Sequence, residues 1–161
     1  MMSGDGRATI RAAAAAVASI ALAACVSAPP RAAAPQPEPR ALLVDNAMSM
    51  LGQPYRFGGA APGGFDCSGL VVYAAGGAGI RVPRTAREQL HTGRPVPRGA
   101  VRGGDLVFLH LARKELHVGI AIDAERFVHA PSAGGYVRVD TLGAPPYAKG
   151  FVGARRIIGA P

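Results

Sequence analysis

The sequence predicts an α+β domain in which N-terminal helices pack on an antiparallel sheet. Segments of helical character come first along the folded part, and short runs rich in β-branched and aromatic residues follow them. Helices followed by strands, rather than helices alternating with strands, are typical of α+β architecture. The abundance of Gly (22) and Pro (14) also indicates many turns and few long helices.

The N-terminus has the pattern of a secretory signal, predicted over residues 1–24. Arg7 and Arg11 precede an uncharged, predominantly apolar run, Ala12 to Ala24. That run is too short for a membrane-spanning helix, which needs about 20 residues. It ends in Leu-Ala-Ala-Cys, which resembles the lipobox of bacterial lipoproteins, where the signal is cut before the cysteine and the thiol is diacylated. Cys25 is therefore predicted to be lipidated; an ordinary signal with an incidental cysteine is the alternative.

Residues 25–39 are predicted to be the lipidated cysteine and a Pro- and Ala-rich tether, and residues 40–161 a single folded domain. Acyl chains anchor a protein by about 0.8 kcal/mol per buried methylene, so a multiply acylated cysteine attaches it durably to a membrane. By analogy with lipoprotein sorting, Val26 in place of Asp favours the periplasmic face of the outer membrane. We expect a monomer in the cell envelope.

Three helices are predicted at the start of the domain. The first covers residues 40–51, and a Gly-rich loop from Tyr55 to Gly64 follows it. Asp66 is a natural N-cap for the second helix, which runs to Gly77. A third begins at Thr85, where Glu88 completes a capping box. Five short strands are predicted after the helices: 106–111, 117–122, 126–130, 136–141 and 151–158.

The net charge of +8 permits anionic partners such as nucleic acid, a membrane surface or a cell-wall polymer. The arginines are scattered along the chain, and no basic stripe is interleaved with aromatic residues as single-strand binders require. We therefore expect no nucleic-acid partner, and we interpret the charge as a solvated basic surface.

Cys67, His117 and His129 are the candidate catalytic residues. Cys67 stands where the Gly-rich loop becomes a helix, and the positive end of a helix dipole favours the nucleophilic thiolate. A hairpin centred on Ala124 would place Gly119 opposite His129. The two histidines would then project from one face on a diagonal, with Cβ atoms roughly 7 Å apart. One ring can then act as base to the thiol while the other fixes its tautomer.

Six motifs in order resemble the NlpC family of cell-wall cysteine peptidases, over roughly residues 42–158. They are Tyr55-Arg56-Phe57-Gly58-Gly59, Phe65-Asp66-Cys67-Ser68-Gly69-Leu70, Pro83-Arg84 with Gln89, Gly104-Asp105-Leu106-Val107-Phe108, His117-Val118-Gly119-Ile120 and Phe127-Val128-His129-Ala130. The resemblance implies a papain-like NlpC fold.

By that resemblance Cys67 is the nucleophile, His117 the general base and acid, and His129 the residue that orients His117. Tyr55 matches a tyrosine whose hydroxyl lies near the thiol and helps to hold the oxyanion. Two further residues, Asp66 and Ser68, match positions that line the substrate cleft.

Several other positions are compared with the family without being assigned a role in the reaction. Arg84 matches an arginine that we interpret as structural. Phe57 stands where many members of the family carry Trp, and Ala121 stands where an aromatic residue is common. His91 and His110 match no family role, and His110 is expected at the edge of the core because it shares a strand face with Leu106 and Phe108.

The implied function is peptidoglycan endopeptidase, acting through a cysteine thioester without metal or cofactor. The resemblance leaves two bonds open, the γ-D-glutamyl–diamino acid bond of stem peptides and the D-alanyl–diaminopimelyl bond of cross-links. Three alternatives remain. They are an inactive envelope lipoprotein that binds wall peptides, an amidase or acyltransferase on the same fold, and a zinc site on Cys67, His117 and His129. Against zinc, the spacings match no compact metal motif and a fourth ligand is not evident.

Overall fold

The computed structural model describes residues 38–111, 115–133 and 135–159. The predicted signal segment 1–24, Cys25 and nearly all of the predicted tether lie outside these residues. Within the described part, no helix combines the length and the apolar character needed to cross a membrane.

Three helices precede most of the sheet, as predicted. Helix α1 spans Pro39–Met48, and it stops short of residue 51 because hydrogen-bonded turns replace the helix from Ser49 onwards. Helix α2 spans Cys67–Gly77 with Asp66 as its N-cap. Helix α3 spans Ala86–Gln89 and begins at the predicted capping box.

The main sheet has six antiparallel strands. In chain order the strands are β3 Arg94–Val96, β4 Leu106–His110, β5 Leu116–Ala121, β6 Arg126–His129, β7 Arg138–Thr141 and β8 Phe151–Arg156. Their spatial order is β3-β8-β4-β5-β6-β7. The meander from β4 to β7 places consecutive strands side by side, and the chain then returns to add β8 beside β4.

The sheet buries side chains on both faces. Phe108 and Ile120 belong to one core, shared with Leu43 of α1 and Leu70 of α2. The alternate strand residues, such as Val107 and Phe127, belong to a second core. This alternation is the period of two expected of strands covered on both sides, and it orients every other residue of β5 away from α2.

Several elements were not predicted. The Gly-rich loop contains a two-stranded hairpin, β1 Ala60–Ala61 and β2 Gly64–Phe65. Strand β3 and the short helix α4, Tyr147–Gly150, carry Pro, Gly and Arg residues that mask their periodicity. The expectation for His110 was wrong: it is exposed and lines a cleft, because β4 runs past the core at this end.

A buried ion pair joins the two ends of the domain. Asp105 is fully buried, and its two oxygens accept hydrogen bonds from Nε and Nη2 of Arg156 at 2.7 Å each. Arg40 of α1 reaches the same carboxylate at 3.3 Å. Burial would raise the pKa of Asp105, but these bonds hold it below its ordinary value. The carboxylate therefore stays charged inside the fold.

We predict that Asp105→Ala lowers the free energy of unfolding by about 3–5 kcal/mol, because it leaves the Arg156 guanidinium buried without a counter-charge. Urea denaturation measures the change. Asp45→Ala, on the exposed face of α1, serves as the matched control and is expected to change stability by less than about 0.5 kcal/mol. Equal losses in the two variants would contradict the prediction.

Candidate active site

Cys67, the candidate nucleophile, is the first residue of α2. Asp66 caps the helix through Oδ1, which accepts a hydrogen bond from the N–H of Gly69 at 2.6 Å. Gly69 also lies against the Gly-rich loop: a Cβ added there would stand 1.9 Å from the carbonyl oxygen of Gly59. Only glycine permits this approach of loop and helix, which fixes where the thiol lies along the cleft.

The thiol form of Cys67 is favoured over the thiolate in the free protein. Burial raises the pKa of Cys67, and the charge of Asp66 adds to that effect. The N–H groups of Val118, Ser68 and Cys67 itself lower the pKa without offsetting the burial. The helix start predicts a thiolate, and the structure gives the opposite direction because desolvation outweighs the N–H groups.

The two histidines meet as the hairpin register predicts. Strands β5 and β6 pair Ile120 with Val128 and Ala121 with Phe127, which places Gly119 opposite His129. His117 Nε2 and His129 Nδ1 are 2.7 Å apart, and the rings are nearly perpendicular at 83°. His117 also lines the cleft that contains Cys67. Fold and register thus bring the three predicted catalytic residues into one region.

Beyond His129 lies a polar cluster that the sequence did not reveal. Nε2 of His129 is 2.8 Å from Oδ2 of Asp140 in β7. The same oxygen accepts hydrogen bonds from Nε of Arg138 at 2.8 Å and from the hydroxyl of Tyr147 at 2.5 Å. The alternation of polar Arg138 and Asp140 with Val139 was the available signal, but nothing in the sequence tied that strand to His129.

Both histidines are neutral at neutral pH. Burial, followed by the charges of His129 and Arg138, lowers the pKa of His117 to about 3. Burial also lowers the pKa of His129 to about 4, although the hydrogen bond and charge of Asp140 oppose the shift. A neutral His117 retains a lone pair and can accept a proton, as a general base must.

Asp66, Ser68 and Arg84 form a second polar network beside Cys67. The Arg84 guanidinium donates to Oδ1 of Asp66 at 3.0 Å and to Oδ2 at 2.6 Å. Arg84 also donates to the Ser68 hydroxyl, and the N–H of Gly58 donates to Asp66. These partners occupy both carboxylate oxygens. The network therefore orders one wall of the cleft, in agreement with a structural role for Arg84.

A single open cleft of about 1420 Å³ connects these groups. Tyr55, Asp66, Cys67, Ser68 and His117 all line it, and burial raises the pKa of the Tyr55 hydroxyl, so Tyr55 remains a hydrogen-bond donor. The walls also include Phe57, Arg87, His91, His110, Glu115, Leu116, Arg138, Tyr147 and Val152.

No group of three or more His, Cys, Asp or Glu residues within 38–111, 115–133 and 135–159 is arranged to hold a metal ion. His117 and His129 direct a ring nitrogen of each toward the other. Those two nitrogens therefore form a hydrogen bond and do not converge on a common point.

A helix that begins at a cysteine, packed beside an antiparallel sheet that carries a histidine pair, defines a papain-like α+β domain. The sequence profile of the NlpC/P60 family matches residues 52–156. The chain belongs to the NlpC/P60 family.

Named relatives and a solved structure agree with this assignment. Murein DD-endopeptidase MepH of Escherichia coli is 37% identical over 123 residues, 73% of this chain and 45% of that protein. Murein DD-endopeptidase MepS/murein LD-carboxypeptidase of E. coli is 34% identical over 117 residues, 72% and 62% respectively. The chain thus spans less than two thirds of either relative. A crystal structure of an NlpC/P60 family protein from Bacillus cereus superposes with a TM-score of 0.69 at 30% identity, over 74% of this chain and 40% of that one.

We predict that the free energy of unfolding decreases as the pH falls from about 6.5 to 5. The unfolded histidines take up protons near pH 6.5, whereas His117 and His129 in the folded protein do so only near pH 3 and 4. The stability that comes from burying these two imidazoles in their neutral form is therefore fully present above pH 6.5, and it decreases as the pH falls below 6.5. Each of these two histidines lowers the free energy of unfolding by about 1.4 kcal/mol for each pH unit in this range.

Urea denaturation at several pH values measures this slope. In His117→Gln this slope is expected to fall to about half, because only one of the two buried imidazoles remains. The pH window lies above the ordinary range of carboxyl groups, so the histidines dominate the change. A slope that is the same with and without His117 would contradict the assignment of two buried neutral rings.

Proposed function

We propose that this protein is a peptidoglycan endopeptidase that hydrolyses amide bonds of stem peptides or cross-links through a cysteine thioester. The observation that carries the proposal is the placement of Cys67 and His117 along one open cleft of an NlpC/P60 domain, with the buried His129 hydrogen-bonded to His117. In this proposal Cys67 is the nucleophile, His117 the general base and acid, and His129 the residue that orients His117.

The reaction begins with a neutral thiol and a neutral imidazole. His117 takes the proton of Cys67 as sulfur attacks the carbonyl carbon, and a tetrahedral oxyanion forms. The backbone N–H of Cys67 and the hydroxyl of Tyr55 stabilise the oxyanion. The C–N bond then breaks, and His117 gives its proton to the leaving amine. Water, deprotonated by His117, attacks the thioester and releases the acid and the Cys67 thiol.

Asp66 and Ser68 complete the proposed substrate side of the cleft. Their network with Arg84 orders the wall beside the thiol. A preordered wall lowers the entropy cost of binding a flexible peptide, and it aligns the scissile carbonyl with the nucleophile. The two residues thus contribute by shaping the cleft, since the Ser68 hydroxyl donates to Asp66 and accepts from Arg84 within the network.

Two amide bonds fit this chemistry, and the relatives favour one of them. MepH and MepS are both named murein DD-endopeptidases. By that similarity the D-alanyl–diaminopimelyl cross-link is the first bond to test, and the γ-D-glutamyl–diamino acid bond the second. Transfer to an amine, instead of hydrolysis, would define an acyltransferase on the same fold.

Digestion of purified peptidoglycan tests the activity. The full chain carrying Cys25→Ser, which leaves Cys67 as its one cysteine, is expected to release new fragments, whose masses identify the bond. Cys67→Ala in the same background is expected to lower the rate by at least about 10³-fold, because no nucleophile remains. Asp45→Ala is the matched control. Equal fragment release with and without Cys67 would contradict the proposal, and binding without cleavage would indicate a wall-binding lipoprotein.

We also propose that Cys25 is lipidated and that the tether holds the domain in the cell envelope, at the periplasmic face of an outer membrane. The support is the apolar run that ends at Cys25 and the proposed wall substrate.

Expression with a labelled fatty acid in a bacterial host that processes lipoproteins tests the anchor. The chain is expected to carry the label and to sediment with membranes, whereas Cys25→Ser is expected to do neither, because its thiol is gone. Label that persists in Cys25→Ser would overturn the assignment.

A further inference from the structure

The polar cluster behind His129 has a defined direction of hydrogen bonding. Three groups converge on one oxygen, Oδ2 of Asp140: Nε of Arg138, the hydroxyl of Tyr147 and Nε2 of His129. A guanidinium can only donate. Nη2 of Arg138 also donates to the Tyr147 oxygen at 3.2 Å, which turns the tyrosine hydrogen towards Asp140. Two of the three partners are therefore donors to Asp140 without ambiguity.

The Asp140 carboxylate is ionised and accepts from all three. Burial would raise the pKa of Asp140, but hydrogen bonds from Tyr147, Arg138 and His129 lower it below its ordinary value. An ionised carboxylate has no hydrogen to give. Nε2 of His129 must then carry the hydrogen in the 2.8 Å contact with Asp140.

The tautomer of His129 dictates the tautomer of His117. A neutral imidazole has one N–H, so a hydrogen on Nε2 of His129 leaves a lone pair on Nδ1. That lone pair faces Nε2 of His117 at 2.7 Å, so Nε2 of His117 donates. Since His117 is also neutral, its Nδ1 carries a lone pair. Nδ1 is the ring nitrogen of His117 that is free to accept a proton from the thiol.

We propose that Asp140 is a positioning residue that sets the tautomers of His129 and, through it, of His117, so that His117 presents an unprotonated Nδ1 to Cys67. The assignment of a task to that nitrogen rests on the proposed function. The reverse arrangement would put a hydrogen on Nδ1 of each ring. His117 would then be a donor where a base is required, and the pair would be inactive.

Arg138 determines what kind of group is needed at position 140. Its guanidinium balances the charge of Asp140, so the pair presents His129 with an acceptor but little net charge. A neutral amide oxygen can occupy the same place, because three donors converge there and would exclude the NH₂ group. The side chain of Asp140 is 25% exposed, so the NH₂ of an asparagine can bond to water. Asp140→Asn should therefore preserve both tautomers, and Asp140→Ala should not.

Nuclear magnetic resonance of the ring nitrogens tests the tautomers directly, because bare and protonated imidazole nitrogens have well-separated ¹⁵N shifts. The sample is the full chain with Cys25→Ser, and His117→Gln and His129→Gln assign the signals. We expect Nε2 protonated and Nδ1 bare in both rings of the unaltered site. We expect the same in Asp140→Asn, and a mixed or reversed pattern in Asp140→Ala.

Kinetics provide the second readout. In serine proteases, Asp→Asn at the carboxylate bonded directly to the catalytic histidine costs about 10⁴-fold, because the amide imposes the wrong tautomer. Here Nε of Arg138 and the Tyr147 hydroxyl donate to the same oxygen of Asp140, so we expect an amide oxygen, and not its NH₂ group, at that point. Asp140 acts through one more imidazole, so we expect Asp140→Ala to lower kcat about 10- to 100-fold with KM unchanged. Asp140→Asn should retain most of the activity, and Asp45→Ala all of it. The rate of Cys67 alkylation by iodoacetamide should follow the same order without any substrate.

Hydrogen on Nδ1 of either ring in the unaltered protein would overturn the proposal, as would an Asp140→Ala spectrum that keeps the original tautomers. If Asp140→Ala does not fold, the spectrum of the unaltered site decides: hydrogen on Nε2 of both rings supports the proposal, and hydrogen on Nδ1 of either ring overturns it. The spectra and the alkylation rates do not depend on peptidoglycan cleavage. An inactive protein with the expected tautomers would therefore refute the proposed function and leave the role of Asp140 standing.

Discussion

The pairing register of β5 with β6 is the constraint on which the site depends. Side chains alternate along a strand, so a slip of one residue would move His129 to the face opposite His117. Val118 and Ile120 fix the register because they belong to the core under the helices. Gly119 makes room for the pair: a Cβ there would lie 2.6 Å from the Phe127 ring. Hydrophobic patterning thus positions the polar rings.

Charge around the cleft is balanced locally although the whole chain carries a net charge of +8. Two carboxylates near the site have an arginine partner: Asp66 with Arg84, and Asp140 with Arg138. Such pairs supply acceptors and donors at fixed points, and within each pair the two charges partly cancel at the thiol and the imidazoles. The thiol and both imidazoles can then remain uncharged until a substrate arrives, and proton transfer can be coupled to bond formation.

Local sequence patterns predicted the three helices, the strands from 106 onwards and the histidine pair. These features depend on helix-capping residues and on the alternation of side chains along strands, both of which can be recognised in the sequence itself. The register that joins the histidines could be derived from one tight turn. The contact of Asp140 with His129 could not, since it depends on how β7 lies beside β6. The protonation of Cys67 was also missed, because a helix start is visible in sequence whereas the depth of burial is not.

The contact of Arg40 with Asp105 also affects how a force on the N-terminal end of the chain is distributed in the domain. Any pull on the chain ahead of residue 38 enters the domain through α1. Arg40 ties α1 to the loop before β4, through Asp105 and the carbonyl of Gly103. The same helix packs on α2, which begins at Cys67. A load applied at the N-terminal end would thus be shared between the centre of the sheet and the helix that begins at the nucleophile.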